Sequence, residues 1–203
     1  MATTNSQIQP QLHTNVLVQR AEAAEESGEI GQFSAVDLDI DVIAEAAITH
    51  PRLVLEYAAQ NLSAESLTGA AKMEPGAALK YAGQYLSPES LEAAAAARPC
   101  EALQYAAKYL SATSLAAAAA DMPWYALKFA AQHLSADSLA EAAVDIPWYA
   151  LRYAADSLSD DSLAKAAKAE PRAAKKYLTP ELLEKVRSQL ATPKNPKSST
   201  LRM

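Results

Sequence analysis

The sequence has few of the residues from which metal and cofactor sites are built. It contains one cysteine, three histidines and five glycines in 203 residues. The single cysteine, Cys100, excludes an intramolecular disulfide and any zinc site made of cysteines. The histidines, His13, His50 and His133, have no second ligand at metal-binding spacing. The glycines are scattered, and none belongs to a phosphate-binding loop. We therefore predict no metal site and no cofactor.

No group of residues indicates catalysis either. Cys100 follows Pro99 at a predicted helix start, but no histidine is placed to activate it. We interpret it as a small packing residue. Two groups of carboxylates open or precede predicted helices, so helix capping and the helix dipole explain them; they are Asp160 and Asp161, and Asp37, Asp39 and Asp41. The sequence therefore predicts that the protein is not an enzyme.

Long apolar segments are missing as well. Runs such as residues 115–120 are far shorter than the roughly 20 residues that span a membrane. The first residues, MATTNSQIQPQLHTN, lack the basic start and apolar core of a secretory signal. We expect a soluble, cytoplasmic protein with no membrane partner. Half of the residues are apolar but only 6% are aromatic, so much of the apolar fraction is alanine, which favours closely packed helices.

The chain does contain a strong internal repeat of 24 residues, which proline marks at Pro51, Pro75, Pro99, Pro123, Pro147 and Pro171. A Leu-Ser pair recurs with the same period at Leu62, Leu86, Leu110, Leu134 and Leu158. The consensus is L-S-x-x-S-L-x-x-A-A-x-x-x-P-x-x-A-L-x-Y-A-A-x-x, with a divergent first copy from Leu38 and a shortened sixth copy from Leu158. Markers that keep the same register in this way are typical of stacked repeat proteins.

Each copy is predicted to form two short helices. The serine at position 2 is an N-cap residue, and in most copies an acid two residues later complements the helix dipole. The proline suits the first turn of the second helix, where its missing N–H would have no partner. In the fifth copy, Leu139, Ala142 and Ala143 share one helical face, as do the residues Pro147, Ala150, Leu151 and Ala154. Such short helices need neighbours. The prediction is all-α: an α-solenoid of about six short two-helix repeats with terminal capping helices.

The domain organisation follows from the limits of the repeat. We predict an N-terminal arm at 1–35, with a candidate helix at 15–27, and the helical-repeat solenoid at 36–178. A more charged capping helix is predicted at 179–190, and a disordered basic tail at 191–203.

The elements P-x-x-A-L-x-Y-A-A and the capped L-x-x-A-A helix resemble short, alanine-rich helical-hairpin repeat proteins of uncharacterised function, over roughly residues 38–178. This resemblance implies an interaction module and supplies no catalytic residues. The chain departs from the pattern by carrying alanine and proline where such proteins often have polar residues or glycine.

A candidate partner-binding site lies where the repeats differ. A helical wheel places positions 16, 19 and 23 of the repeat opposite the buried stripe of the second helix. Position 19 forms a mostly basic row: Lys80, Gln104, Lys128, Arg152 and Lys176. The fourth and fifth copies also carry a Trp-Tyr pair. We therefore predict a contact patch that consists of Trp124, Tyr125, Lys128, Trp148, Tyr149 and Arg152.

Two interpretations of this patch stay open. The tryptophans either pack between hairpins, with the basic row simply solvated, or they form an aromatic and cationic contact surface with the tyrosines. The ring at position 20 recurs in every copy, which indicates a structural role; the series is Tyr57, Tyr81, Tyr105, Phe129, Tyr153 and Tyr177.

Three functions are compatible with these patterns, and the first is a non-enzymatic scaffold that binds another protein through the second-helix face of the middle repeats. The alternative is a structural subunit that assembles with itself, as a filament, shell or component of a virion or secretion assembly. Residues 1–101 carry 14 acids and 5 bases, a charge of −9, whereas residues 102–203 carry 10 acids and 13 bases, a charge of +3. Such an asymmetry favours a head-to-tail homo-oligomer. The third, nucleic-acid binding through the basic C-terminal end, is disfavoured by an acidic body that lacks a recognition motif.

Overall fold

The structure is a computed structural model that describes Gln19 and residues 40–191, with only the backbone of Val42. The chain folds into two compact units, and the division falls between Asp121 and Met122. Apart from Gln19 and Ala191, the predicted arm at 1–35 and the predicted tail at 191–203 lie outside the described residues.

In unit 1, which ends at Asp121, the first and second helices of successive copies alternate along the chain. The first helices of the copies are α1 (Ile40–Thr49), α3 (Ala64–Met73), α5 (Pro88–Ala97) and α7 (Ala112–Asp121). The second helices are α2 (Pro51–Tyr57), α4 (Pro75–Ala77) and α6 (Pro99–Glu101). A 3-10 turn, Ala59–Asn61, follows α2. Helices α4 and α6 continue into π-helical turns, Ala78–Ala82 and Ala102–Ala106, and a 3-10 turn, Ala107–Tyr109, follows the second of these.

Unit 2, from Met122, continues the same alternation. Its second helices are α8 (Pro123–Tyr125), α10 (Pro147–Tyr149) and α12 (Pro171–Tyr177). Helices α8 and α10 run into the π-turns Ala126–Ala130 and Ala150–Ala154, and a 3-10 turn, Ala155–Ser157, follows the latter. The other helices are α9 (Ala136–Asp145), α11 (Asp160–Ala169) and α13 (Pro180–Ala191).

The helix ends follow the predicted capping chemistry. The Ser135 hydroxyl accepts a hydrogen bond from the backbone N–H of Ser138 at 3.1 Å, and the same N-cap bond recurs at Ser63, Ser87, Ser111 and Ser159. Thr179 caps α13 in the same way. The proline of each copy stands in the first turn of its second helix. These residues satisfy or remove orphan N–H groups, so the predicted helix starts are confirmed.

Within each unit the helices form two rows, one of first helices and one of second helices. In unit 2, α11 contacts both α9 and α13, while the π-turn at Ala150–Ala154 contacts the preceding π-turn and α12. In unit 1, α1, α3, α5 and α7 contact one another in succession, and the second helices do the same. The core between the rows consists mainly of buried alanines and leucines, such as Leu151 and Ala154, together with Ile43, Val54 and Val186. Alanine permits this close approach, and each leucine buries a larger apolar side chain.

The second helices differ from the predicted regular α-helices. Their first turn is α-helical, and the Ala-Leu-x-aromatic-Ala segment that follows is a π-turn in the second to fifth copies. The predicted stripe Ala150, Leu151 and Ala154 is buried, but Pro147 is only half-buried. Residues at position 16 are half-buried in the first five copies, whereas those at positions 19 and 23 are exposed except for Glu56. A π-turn is rare, and alanine and leucine favour the α-turn, so local propensity did not predict it.

The prediction of an all-α fold is confirmed over the described residues, where all regular secondary structure is helical. Among the same residues, no helix combines the length and the apolar character that a bilayer crossing requires.

Candidate functional site

The six predicted patch residues all lie in unit 2, on two successive second helices. Trp124 and Tyr125 occupy the first turn of α8, and Trp148 and Tyr149 occupy the same place in α10. Lys128 and Arg152 lie one turn later, in the two π-turns. The four aromatic side chains are half-buried and the two cationic side chains are exposed. The structure therefore places the predicted residues along one part of unit 2.

The tryptophans link neighbouring hairpins. The ring of Trp124 lies 3.8 Å from that of Tyr125 and 6.1 Å from that of Tyr149, in the next copy. The Trp148 ring lies 4.9 Å from the Tyr149 ring and meets the ring of Tyr177, again in the next copy, at 5.6 Å and 89°. Trp148 and Tyr149 also pack against the core of unit 2. This is the geometry that the packing hypothesis expects, and it leaves part of each ring exposed.

Each tyrosine of the patch contacts the aromatic ring of the π-turn that follows it. Tyr125 contacts Phe129 with ring centroids 5.5 Å apart, and Tyr149 contacts Tyr153 at the same distance. Each pair joins position 16 of a copy to its position 20, so the aromatic surface continues along the helix.

The cations lie over aromatic rings of two successive copies. The Nζ atom of Lys128 is 4.6 Å from the centroid of Phe129 and 5.9 Å from that of Tyr153. The guanidinium of Arg152 lies 4.8 Å from the Tyr153 ring, 5.2 Å from Trp148 and 5.5 Å from Tyr177. The negative face of a ring attracts a cation at such distances. Both cationic groups thus lie beside rings while their side chains stay exposed.

The position-20 rings are therefore part of the site, although the sequence indicated only a structural role for them. Tyr153 is 37% exposed, and Phe129 and Tyr177 also lie beside a cation. The available signal was the repeat register. A cation at position 19 and the ring at position 20 of the next copy are 25 residues apart, which is one repeat of 24 residues plus one. Stacking of successive copies therefore brings them together. We call Lys128, Phe129, Arg152, Tyr153, Lys176 and Tyr177 the cation–ring row.

The cations of this row have no carboxylate partner in the described part of the chain. The ion pairs of unit 2 are instead Lys165 with Asp161 at 2.7 Å, Lys185 with Asp160 at 2.6 Å, and one within α13, between Arg187 and Glu184. The charge of Lys128, Arg152 and Lys176 is thus balanced by rings and solvent alone among these residues. A negatively charged group of another molecule would meet no competing internal acid at these three side chains.

Unit 1 has the same arrangement at Lys80. Its Nζ lies 4.5 Å from the Tyr81 ring and 5.8 Å from the Tyr105 ring. It also donates a hydrogen bond to the Tyr81 hydroxyl at 2.7 Å, and this bond raises the pKa of Lys80 above its usual 10.5. The hydrogen bond favours the charged form because the ammonium is the donor.

Among the described residues, no three histidine, cysteine, aspartate or glutamate side chains come close enough to hold a metal ion. Cys100 is half-buried at the start of α6 and is not in a disulfide. Comparisons with known proteins add no relative: no protein-family model, no curated protein and no solved structure matches this chain.

Proposed function

We propose that this protein is a non-enzymatic scaffold, an α-solenoid that binds an acidic segment of another protein. The contact surface is the second-helix face of the middle repeats, and its residues are Trp124, Tyr125, Lys128, Trp148, Tyr149 and Arg152. The observation that carries the proposal is the exposure of Lys128 and Arg152 without a carboxylate partner in the described residues.

The order of these cations supports a binding role. A solvated lysine or arginine normally samples many rotamers, and ordering it on binding costs about 0.5–1.5 kcal/mol. Lys128 and Arg152 already lie over rings from two copies, so part of this entropy is lost before any partner arrives. Preorganised cations beside tyrosine and tryptophan are typical of residues that dominate protein interfaces.

The charge of the surface supports an acidic partner. Helix α12 adds Arg172, Lys175 and Lys176 to the second-helix row, and all three are exposed. Of the acids in unit 2, most lie on the first helices or on α13. A segment that carries several carboxylates would pair with these cations, and the association would weaken as salt rises.

The test is fluorescence anisotropy with three labelled twelve-residue peptides, one rich in glutamate and tyrosine, a glutamine analogue and a lysine analogue. We expect only the acidic peptide to bind the full chain, with an affinity that falls as salt is raised. Arg152→Glu should weaken binding at least about tenfold, because it replaces attraction by repulsion. The matched control is Lys168→Glu, a lysine-to-glutamate change at an exposed position of α11, which should change the affinity by less than about threefold.

Two results would contradict the proposal. Equal losses in Arg152→Glu and Lys168→Glu would show that net charge, and not this surface, attracts the peptide. Tighter binding of a DNA oligonucleotide than of the acidic peptide, lost on removal of residues 192–203, would favour the basic tail and nucleic acid instead.

Self-assembly is the second candidate, and the opposite charges of the two halves favour it. It predicts that size-exclusion chromatography with light scattering detects particles that grow with protein concentration and shrink at high salt. A monomer at all concentrations would exclude this candidate and leave the scaffold.

A further inference from the structure

A groove in unit 1 has a cation and a ring at the positions equivalent to those around Trp148 in unit 2, but it contains no tryptophan. Its volume is about 440 Å³, and its lining includes Gly76, Lys80, Tyr81, Glu101 and Tyr105. Grooves of this size accommodate small ligands or one large side chain. The lining residues belong to unit 1 and are separate from those of the proposed function, so this inference does not depend on that proposal.

The repeat shows what such a groove holds in unit 2. Trp148 occupies position 15 of its copy, and its ring contacts the guanidinium of Arg152 at 5.2 Å and the ring of Tyr177 at 5.6 Å. Three repeats earlier in the sequence, the same positions are Gly76, Lys80 and Tyr105. The cation and the ring are therefore retained in unit 1, while the indole is replaced by a hydrogen atom.

The retained groups have similar geometry in both units. Lys80 lies 4.5 Å from the Tyr81 ring and 5.8 Å from the Tyr105 ring. Arg152 lies 4.8 Å from Tyr153 and 5.5 Å from Tyr177. The cation and the next ring are thus already placed to contact an aromatic group above Gly76, and Tyr105 is 38% exposed.

Glu101 distinguishes the groove from its counterpart in unit 2, where the equivalent residue is Ala173. Its Oε1 atom lies 3.5 Å from the position that a β-carbon on Gly76 would take. Glu101 forms no salt bridge among the described residues. A carboxylate at this place can accept a hydrogen bond from an indole N–H, which phenylalanine and leucine cannot donate.

We propose that this groove binds a tryptophan side chain presented by a linear segment of a partner protein. The indole face lies under the Lys80 ammonium, its edge meets the Tyr105 ring, and its N–H donates to Glu101. The bound indole takes the position in unit 1 that is equivalent to the position of the Trp148 ring in unit 2.

The experiment is a titration of the full ¹⁵N-labelled chain with the peptide acetyl-Gly-Trp-Gly-amide, followed by NMR. Peptides with leucine or phenylalanine in place of tryptophan serve as controls. We expect saturable shifts of the Gly76 and Tyr105 amides with the tryptophan peptide, at an affinity on the order of 1 mM for so small a ligand. The phenylalanine peptide should bind about fivefold more weakly and the leucine peptide more weakly still, because they lack the N–H and, for leucine, the ring.

Two variants decide whether the groove itself is responsible. Gly76→Trp places an indole in the groove from within and should abolish the shift of the Tyr105 amide, whereas Gly76→Ala should retain it, because a β-carbon there meets only an ordinary contact at 3.5 Å. Tyr105→Ala removes the exposed ring without filling the groove and should also abolish binding. No saturable shifts, equal shifts with the leucine peptide, or undiminished binding to both Gly76→Trp and Tyr105→Ala would overturn the proposal.

Discussion

The substitution Trp148→Ala separates packing from surface contact at the candidate site. In the structure the Trp148 ring touches the rings of Tyr149 and Tyr177 and lies under the Arg152 guanidinium. If these contacts connect adjacent hairpins, the substitution will destabilise unit 2. If the ring serves only as a contact surface for a partner, the free energy of unfolding of unit 2 will change little.

The expected magnitude follows from the burial of the ring. Truncation of a fully buried tryptophan to alanine costs about 3–5 kcal/mol, and a half-buried ring should lose roughly half of that. An edge-to-face pair contributes about 0.5–1.5 kcal/mol, and a cation–π contact at an exposed site about 0.5–1 kcal/mol. We expect a loss of about 2–3 kcal/mol in the free energy of unfolding of unit 2, because these contributions overlap.

The assay is urea denaturation followed by circular dichroism, combined with amide hydrogen exchange at Leu151 and Ala154. Hydrogen exchange reports local opening, so it assigns the loss to unit 2. The control is Val144→Ala, which shortens an exposed apolar side chain of α9 and should change stability by less than about 0.5 kcal/mol.

A loss for Trp148→Ala that does not exceed that of the control would refute the packing argument. The ring would then be interpreted as a contact residue, and the peptide titration of the variant would show whether binding falls. A large loss together with unchanged peptide affinity would place Trp148 in the fold and leave the cations as the binding groups.

Three further predictions concern helix starts, glycines and one lysine. Ser135→Ala removes the N-cap of α9 and should destabilise this helix by about 1 kcal/mol. Amide hydrogen exchange in the first turn of α9 should become faster, and unchanged exchange would contradict the prediction. Gly69→Ala should stabilise unit 1 by about 0.5–1 kcal/mol, because alanine is favoured over glycine inside a helix. Apart from the chain neighbours and the backbone of the same helix, no heavy atom lies within 4 Å of the added carbon. Gly83→Ala should stabilise unit 1 less than Gly69→Ala does or destabilise it, because two atoms lie 3.2 Å from the added carbon. The denaturant midpoints of the two variants measure this difference, and an equal gain in stability would refute the steric argument. Tyr81→Phe should lower the pKa of Lys80, which the tyrosine hydroxyl raises, as measured by NMR titration of the lysine side chain. A raised lysine pKa stabilises the fold only while the ammonium is charged. This contribution is therefore complete below pH 10.5 and is lost as the pH rises through the higher pKa of the folded state. An unchanged pKa in Tyr81→Phe would contradict the assigned cause.

The repeat pattern alone determined the positions of the helices. The recurring serine and proline predicted helix starts that the structure reproduces, such as Ser135 before α9 and Pro147 at the start of α10. These signals are local: a serine oxygen caps an N–H three residues away, and a proline fits the first turn whatever surrounds it. The buried leucine and alanine faces were predictable for the same reason, because helical periodicity determines which residues share a side.

Only the tertiary structure decided the π-turns and the contacts that join one copy to the next. Alanine and leucine favour the α-turn locally, so the register of Ala150–Ala154 reflects packing against neighbouring helices. The cation of Arg152 and the ring of Tyr177 are 25 residues apart in sequence, and stacking of copies brings them within 5.5 Å. The groove at Gly76 is likewise a space between copies. Such features depend on the distance between helices, which a sequence pattern does not specify and side-chain packing does.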